Sequence, residues 1–174
     1  MRVGTRSLLF GAHCVPIHTL MIALAWWRLY GAPLDLRLWC AFVVHDFGYF
    51  GCPEMDGAKG ECHPALGGRI MRALFGPAWG NFTAAHSRFY AAFAGLSVSD
   101  LCAADKLATA LEPWWLYLPR AWASGELREY MDGGPARYPA AYPNGRIESK
   151  RLWFANLQRD AFAKYDKPRR KPRY

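Results

Sequence analysis

The chain predicts an all-α fold, a compact helical bundle, on three observations. It holds no convincing run of alternating apolar and polar residues of the kind that makes a half-buried strand. Apolar segments of helical length follow one another, most of them bounded by glycine or proline. Its 174 residues, 52% hydrophobic and 21% charged, have the composition of an ordinary folded chain and are enough for one domain with a real core.

Pro16 opens a helix over Ile17 to Tyr30, and Gly31-Ala32-Pro33 closes it. Leu36 to Val44 is a second, apolar helix that runs into His45-Asp46. Phe47 to Cys62, rich in Gly, Pro and acids, reads as a loop. His63-Pro64 starts a third helix reaching about Phe75, before Gly76-Pro77. A fourth covers Trp79 to Phe93 and ends at Gly95, and Ser97 or Ser99 caps a fifth over Asp100 to Leu111. Glu112-Pro113 interrupts, and a shorter aromatic helix follows from Trp114. Asp132 to Gly145, with three prolines and three glycines, is expected to be a loop. Ile147 to Tyr165 is a last amphipathic helix, with Ile147, Phe154, Leu157, Ala161 and Phe162 facing inward. Residues 1–165 thus read as a single helical domain and 166–174 as a basic, disordered tail.

The net charge of +8 is unevenly spread. Lys164 to Tyr174 carries six cations against one acid, and without it the charge falls to +3. Such a tail can touch nucleic acid or simply stay solvated. Five cysteines, with no CxxC spacing, fit reduced thiols in a cytoplasmic protein and no structural zinc site. Leu8 to Trp27 is apolar enough to raise the question of a membrane span. It contains His13, Pro16 and His18, and imidazoles are costly in lipid, so a buried helix and no membrane partner are expected.

All five histidines lie between positions 13 and 86. Imidazole nitrogens and carboxylate oxygens are the donors a divalent first-row metal takes when no thiolate is offered. Each residue alone is weak evidence, since a histidine at a helix end is more often a cap or a satisfied core group. His45-Asp46 is sharper. Two chargeable groups directly after the apolar run Trp39 to Val44 need partners or a metal.

Phe42-Val43-Val44-His45-Asp46-Phe47-Gly48 resembles the motif of the HD superfamily, an apolar helix ending in His-Asp-x-Gly. His18 with its apolar stripe is similar to that family's first-helix histidine. Asp105, in Ala103-Ala104-Asp105-Lys106-Leu107, is similar to the aspartate of its distal helix. His63-Pro64-Ala65-Leu66-Gly67-Gly68 and Ala84-Ala85-His86-Ser87-Arg88 resemble the segments that supply a second metal in dinuclear members. The likeness spans residues 18 to 105, and its specificity lies in the ordered set. His13 competes with His18 as first ligand, and His18 is preferred because the apolar helix runs on directly from it. Two departures stand out: Tyr49 follows Gly48 where the family often has Lys, and the Gly-Tyr-Pro signature of the cyclic-dinucleotide enzymes is missing after His86.

The resemblance implies an HD-domain fold and a site of His18, His45, Asp46, His63, His86 and Asp105. That site would hold a divalent transition metal (Mn, Fe, Co, Ni or Zn), two ions by the dinuclear ligand order, with Asp46 bridging. The implied activity is metal-dependent hydrolysis of a nucleotide, cyclic nucleotide or small phosphorylated metabolite through activated water. Lys106 and Arg88 would contact phosphate, unless they are solvent-facing helix cations. Glu54, Asp56, Lys59 and Glu61 in the loop after the pair can reach the site, and Phe89, Tyr90, Trp114, Trp115 and Tyr117 can stack on a base or belong to the core. Two alternatives share these ligands: an HD-type di-iron oxygenase acting on a small organic substrate, and a non-catalytic nucleotide-binding protein.

Overall fold

The computed structural model describes residues 1–137, 149–166 and 171–172, with side chains up to Asp132 in the first stretch. Among them are ten α-helices, two short 3-10 turns and no strand, so the expected all-α bundle stands. The helices are α1 (Val3–Phe10), α2 (Val15–Tyr30), α3 (Leu36–Val44), α4 (Pro64–Phe75), α5 (Pro77–Ala84), α6 (Arg88–Phe93), α7 (Asp100–Leu111), α8 (Trp114–Ser124), α9 (Glu126–Arg137) and α10 (Lys150–Tyr165).

Local chemistry explains most of these boundaries. Pro16 sits in the first turn of α2, where its missing N–H costs nothing, and Gly31 closes the helix at φ +100°, a conformation that disfavours a side chain. Pro64 and Gly76 bracket α4 in the same way. Asp35 caps α3 by accepting from the Arg37 N–H, and Ser149 caps α10 through the Leu152 N–H. Ser99 precedes α7 at the cap position, but its hydroxyl makes no cap hydrogen bond.

The main core joins α2, α3, α4, α5, α7 and α10 around Ile22, Trp26, Phe42, Met71, Phe82 and Leu107. Within it α2 packs on α7, α7 on α10, and α4 on α5. A second cluster, with Tyr117, Leu118, Leu127, Trp153 and Phe154, fastens α8 and α9 to α10. Of the expected inward residues of α10, Phe154 and Ala161 are buried, and Leu157 and Phe162 pack partly buried against the two clusters. Ile147 lies outside the described residues.

Four sequence expectations need correction. The helix expected over Trp79 to Phe93 is two, α5 and α6, because the chain turns at Ala85-His86-Ser87 and the Ser87 hydroxyl starts α6 by accepting from the Tyr90 N–H. The start of the loop expected over Asp132 to Gly145 is helical instead, since α9 continues to Arg137, and residues 138–148 lie outside the described set. Helix α1 was not anticipated, because its eight residues show little amphipathic pattern. Asp166, expected in a loose tail, is held by the Arg28 guanidinium through hydrogen bonds of 2.8 and 2.7 Å.

Candidate metal centre

Every residue singled out as a ligand is buried, and all six converge. His18 comes from the first turns of α2, and Asp105 from the middle of α7, which lies against it. His45 and Asp46 follow directly after α3, where the chain leaves helical geometry at Asp46 (φ −95°, ψ 1°). The two adjacent side chains therefore reach one centre rather than diverging by a helical step. His63 stands just ahead of α4, and His86 in the break between α5 and α6.

Two groups of donor atoms share one carboxylate. Around Asp46 Oδ2 lie His45 Nε2 at 3.0 Å and His18 Nε2 at 3.6 Å, and His18 Nε2 is 3.0 Å from Asp105 Oδ1. Around Asp46 Oδ1 lie His63 Nε2 at 3.3 Å and His86 Nε2 at 3.4 Å. Burial opposes ionisation of Asp46, but the neighbouring His45 and His13 outweigh it and hold its carboxyl well below the usual carboxylate range. Asp105 is likewise kept ionised against burial, by Lys106 at 3.0 Å and by His18.

The donor set fits a bound cation. His45, His63 and His86 each direct Nδ1 at a backbone carbonyl three residues earlier: Phe42 O at 3.0 Å, Gly60 O at 2.6 Å and Thr83 O at 2.7 Å. A carbonyl only accepts, so Nδ1 carries a proton in each ring and Nε2 is the nitrogen turned inward. Burial lowers the His63 pKa to about 4, which keeps that ring neutral. Two such nitrogens, His63 Nε2 and His86 Nε2, then face each other at 3.0 Å beside a carboxylate oxygen. A shared proton or a metal cation placed among these three atoms holds them so close. In the other group His45 Nε2 and Asp46 Oδ2 are buried 3.0 Å apart without hydrogen-bond geometry, an arrangement that a metal ion relieves.

Small residues make this convergence possible. A Cβ on Gly48 would collide with the His63 backbone, and one on Gly67 would meet Val44 O at 2.5 Å and His45 Cα at 2.9 Å. The glycines of the two motifs thus let the His45-Asp46 turn and the start of α4 touch.

The centre opens on a cavity of about 660 Å³ lined by His63, His86, Arg88 and Lys106. Asp56 and Glu61 of the intervening loop line it as well, whereas Glu54 accepts from the Lys59 N–H and neither of these two is in the wall. Of the aromatic candidates, Phe89 and Tyr117 face the cavity, and Tyr90, Trp114 and Trp115 do not line it.

Sequence reasoning missed four contributors. Glu126, at the start of α9, is fully buried and accepts from the Ala12 N–H at 2.5 Å and the Ser124, Ser7 and Tyr130 hydroxyls at 2.6, 2.8 and 3.1 Å. It also meets His13 Nδ1 at 3.2 Å, which turns the opposite nitrogen, Nε2, to within 4.0 Å of Asp46 Oδ2. Burial opposes protonation of His13, but Asp46, Glu126 and Asp105 together outweigh it and raise its pKa to about 9. His13 therefore borders the centre as a cation, while His18 stands within the ligand group. Tyr49, beyond Gly48, stacks on the His63 ring at 4.0 Å and lines the cavity. Lys164 and Tyr165, at the end of α10, complete the far wall.

In comparisons with known proteins, no family model, no curated protein and no solved structure matches the chain.

Proposed function

We propose that the chain is a metal-dependent phosphohydrolase of the HD type, acting on a nucleotide, cyclic nucleotide or small phosphorylated metabolite. One observation carries this reading: two groups of buried imidazole and carboxylate donors share Asp46, and His63 and His86 of the second line a cavity that also holds Lys106 and Arg88. Divalent ions held by His18, His45, Asp46 and Asp105, and by Asp46, His63 and His86, would supply Lewis-acid polarisation of a phosphoryl group and acidify water near neutral pH.

The chain's own groups supply the rest. Lys106 and Arg88 neutralise charge on phosphoryl oxygens. His13, oriented through Nδ1 by Glu126, presents Nε2 to the same space and can hand a proton to a leaving oxygen. Tyr117 and Phe89 give a flat apolar wall for the organic part of a substrate. The ordered likeness to the HD superfamily supports the reaction class.

The nitrogen-rich donor set, four imidazoles to two carboxylates, also suits iron, which favours a di-iron oxygenase as the second reading. One experiment separates them. Metal content of the purified protein is measured, and the protein loaded with Mn, Fe, Co, Ni or Zn is screened for phosphate release and for oxygen uptake. Phosphate release that Asp46→Ala abolishes supports the hydrolase. Oxygen uptake without phosphate release supports the oxygenase. A protein that takes up none of these metals refutes both.

A further inference from the structure

The solvent-facing side of α2 carries no charge before its last turn. Pro16, Leu20, Leu24 and Trp27 recur along one face and are all exposed, Leu20 at 59%, Leu24 at 44% and Trp27 at 54%. A surface helix of a globular protein ordinarily turns polar groups outward. From Val15 to Trp27 only His18 and Thr19 are polar, and both are buried. Leu111, at the end of α7, joins Leu24 and Trp27 around a shallow surface hollow, so the stripe is part of a wider apolar patch.

The stripe ends at Arg28, and Arg28 holds Asp166 through two hydrogen bonds. Asp166 therefore lies at the edge of the patch. The next eight residues contain five cations, Lys167, Arg169, Arg170, Lys171 and Arg173, and no acid.

We propose that this face docks on an anionic lipid surface, with Leu20, Leu24 and Trp27 entering the interface and the cations of residues 167–173 meeting the headgroups. Charge decides the occupant. Pairing α2 with α2 of a second copy would bring two five-cation segments together, and like charges oppose that association. Nucleic acid would satisfy the cations and leave the apolar stripe in water. An anionic bilayer satisfies both, and two weak membrane signals acting together give stable peripheral binding. No single described helix is long and apolar enough to cross a membrane, and the inward imidazole of His18 forbids lipid on that side of α2. Neither fact opposes lying on the surface, and a peripheral lipid partner departs from the sequence expectation of no membrane.

The test is flotation of the full chain with vesicles of phosphatidylcholine, with and without phosphatidylglycerol. Two variants are compared: Leu24→Gln with Trp27→Gln, and Arg169→Ser with Arg170→Ser and Lys171→Ser. Binding only to the anionic vesicles, weakened on the order of tenfold or more in each variant, with circular dichroism and metal content unchanged, is the expected result. The absence of binding to anionic vesicles overturns the proposal. So does binding that the serine variant loses and the glutamine variant keeps. A dimer in sedimentation that the glutamine changes dissociate, without vesicle binding, would assign the stripe to a second copy. Binding to a single-stranded oligonucleotide, again without vesicle binding, would assign the cations to nucleic acid.

Discussion

The donor group around His18 and the group around His63 share Asp46 but are built from different material. All four members of the first group are rooted in or directly after the core helices α2, α3 and α7, which pack around Ile22, Phe42 and Leu107. His63 and His86 of the second group stand at a helix start and in a helix break, and both line the cavity. The first group carries the buried atoms without hydrogen-bond geometry, His45 Nε2 and Asp46 Oδ2. In the second a pair of ring nitrogens stands 3.0 Å apart, next to space that a substrate can enter. A centre of this kind has one half fixed by the core and one half exposed to chemistry. The inner ion should bind first and leave last, and the outer one should exchange.

Asp46→Ala breaks the comparison outright, because it removes the carboxylate common to both halves. Metal content should fall close to zero and turnover by on the order of a hundredfold or more, read by metal analysis and steady-state assay. Retention of one full equivalent would show that Asp46 serves only one half. His63→Ala or His86→Ala should halve the metal content and cripple turnover while the inner ion stays. Loss of both ions in either variant would erase the distinction between the halves, and unchanged stoichiometry would reduce the centre to a single ion.

Gly48→Ala tests the contact that joins the halves. The added methyl has nowhere to go but the His63 backbone, so a destabilisation of roughly 1–3 kcal/mol is expected. Thermal unfolding should record this as a fall of roughly 2–4 °C per kcal/mol. An unchanged melting temperature would mean that α4 can withdraw freely from the His45-Asp46 turn. Glu126→Gln should leave the metal content intact, since Glu126 touches His13 and no ligand, and should lower turnover by about tenfold through a less well-oriented His13. Metal loss in that variant would tie the His13 network to the centre's integrity. Ser87→Ala removes the cap of the six-residue α6 and should cost about 1 kcal/mol, with a small rise in the apparent metal dissociation constant of the outer half only.

The inner half was the more legible in the sequence. Its ligands sit in or next to long apolar segments that proline, glycine and Asp35 punctuate, and the boundaries of α3 and α7 could be read directly. The break that carries His86 left no glycine or proline in Thr83-Ala84-Ala85-His86, so a single helix was expected there. Only the Ser87 hydroxyl marks the new start, and serine is common inside helices too. Most of α9 was missed because Gly133-Gly134-Pro135 reads as a turn, yet its first residues are anchored by the burial of Glu126 and Leu127. Glu126 itself was out of reach. It meets His13 across 113 positions of chain, and no local spacing encodes such a contact.

The hydrogen bonds that fix His45, His63 and His86 all run to main-chain carbonyls. Where a carboxylate or amide side chain orients a metal-binding imidazole, one substitution at that second position rotates the ring or changes its tautomer. Here the orienting atom belongs to Phe42, Gly60 and Thr83 whatever side chain those positions bear. Descendants of this sequence can therefore drift at the positions behind the rings, changing core packing or cavity shape, without detuning the three nitrogens that face the centre.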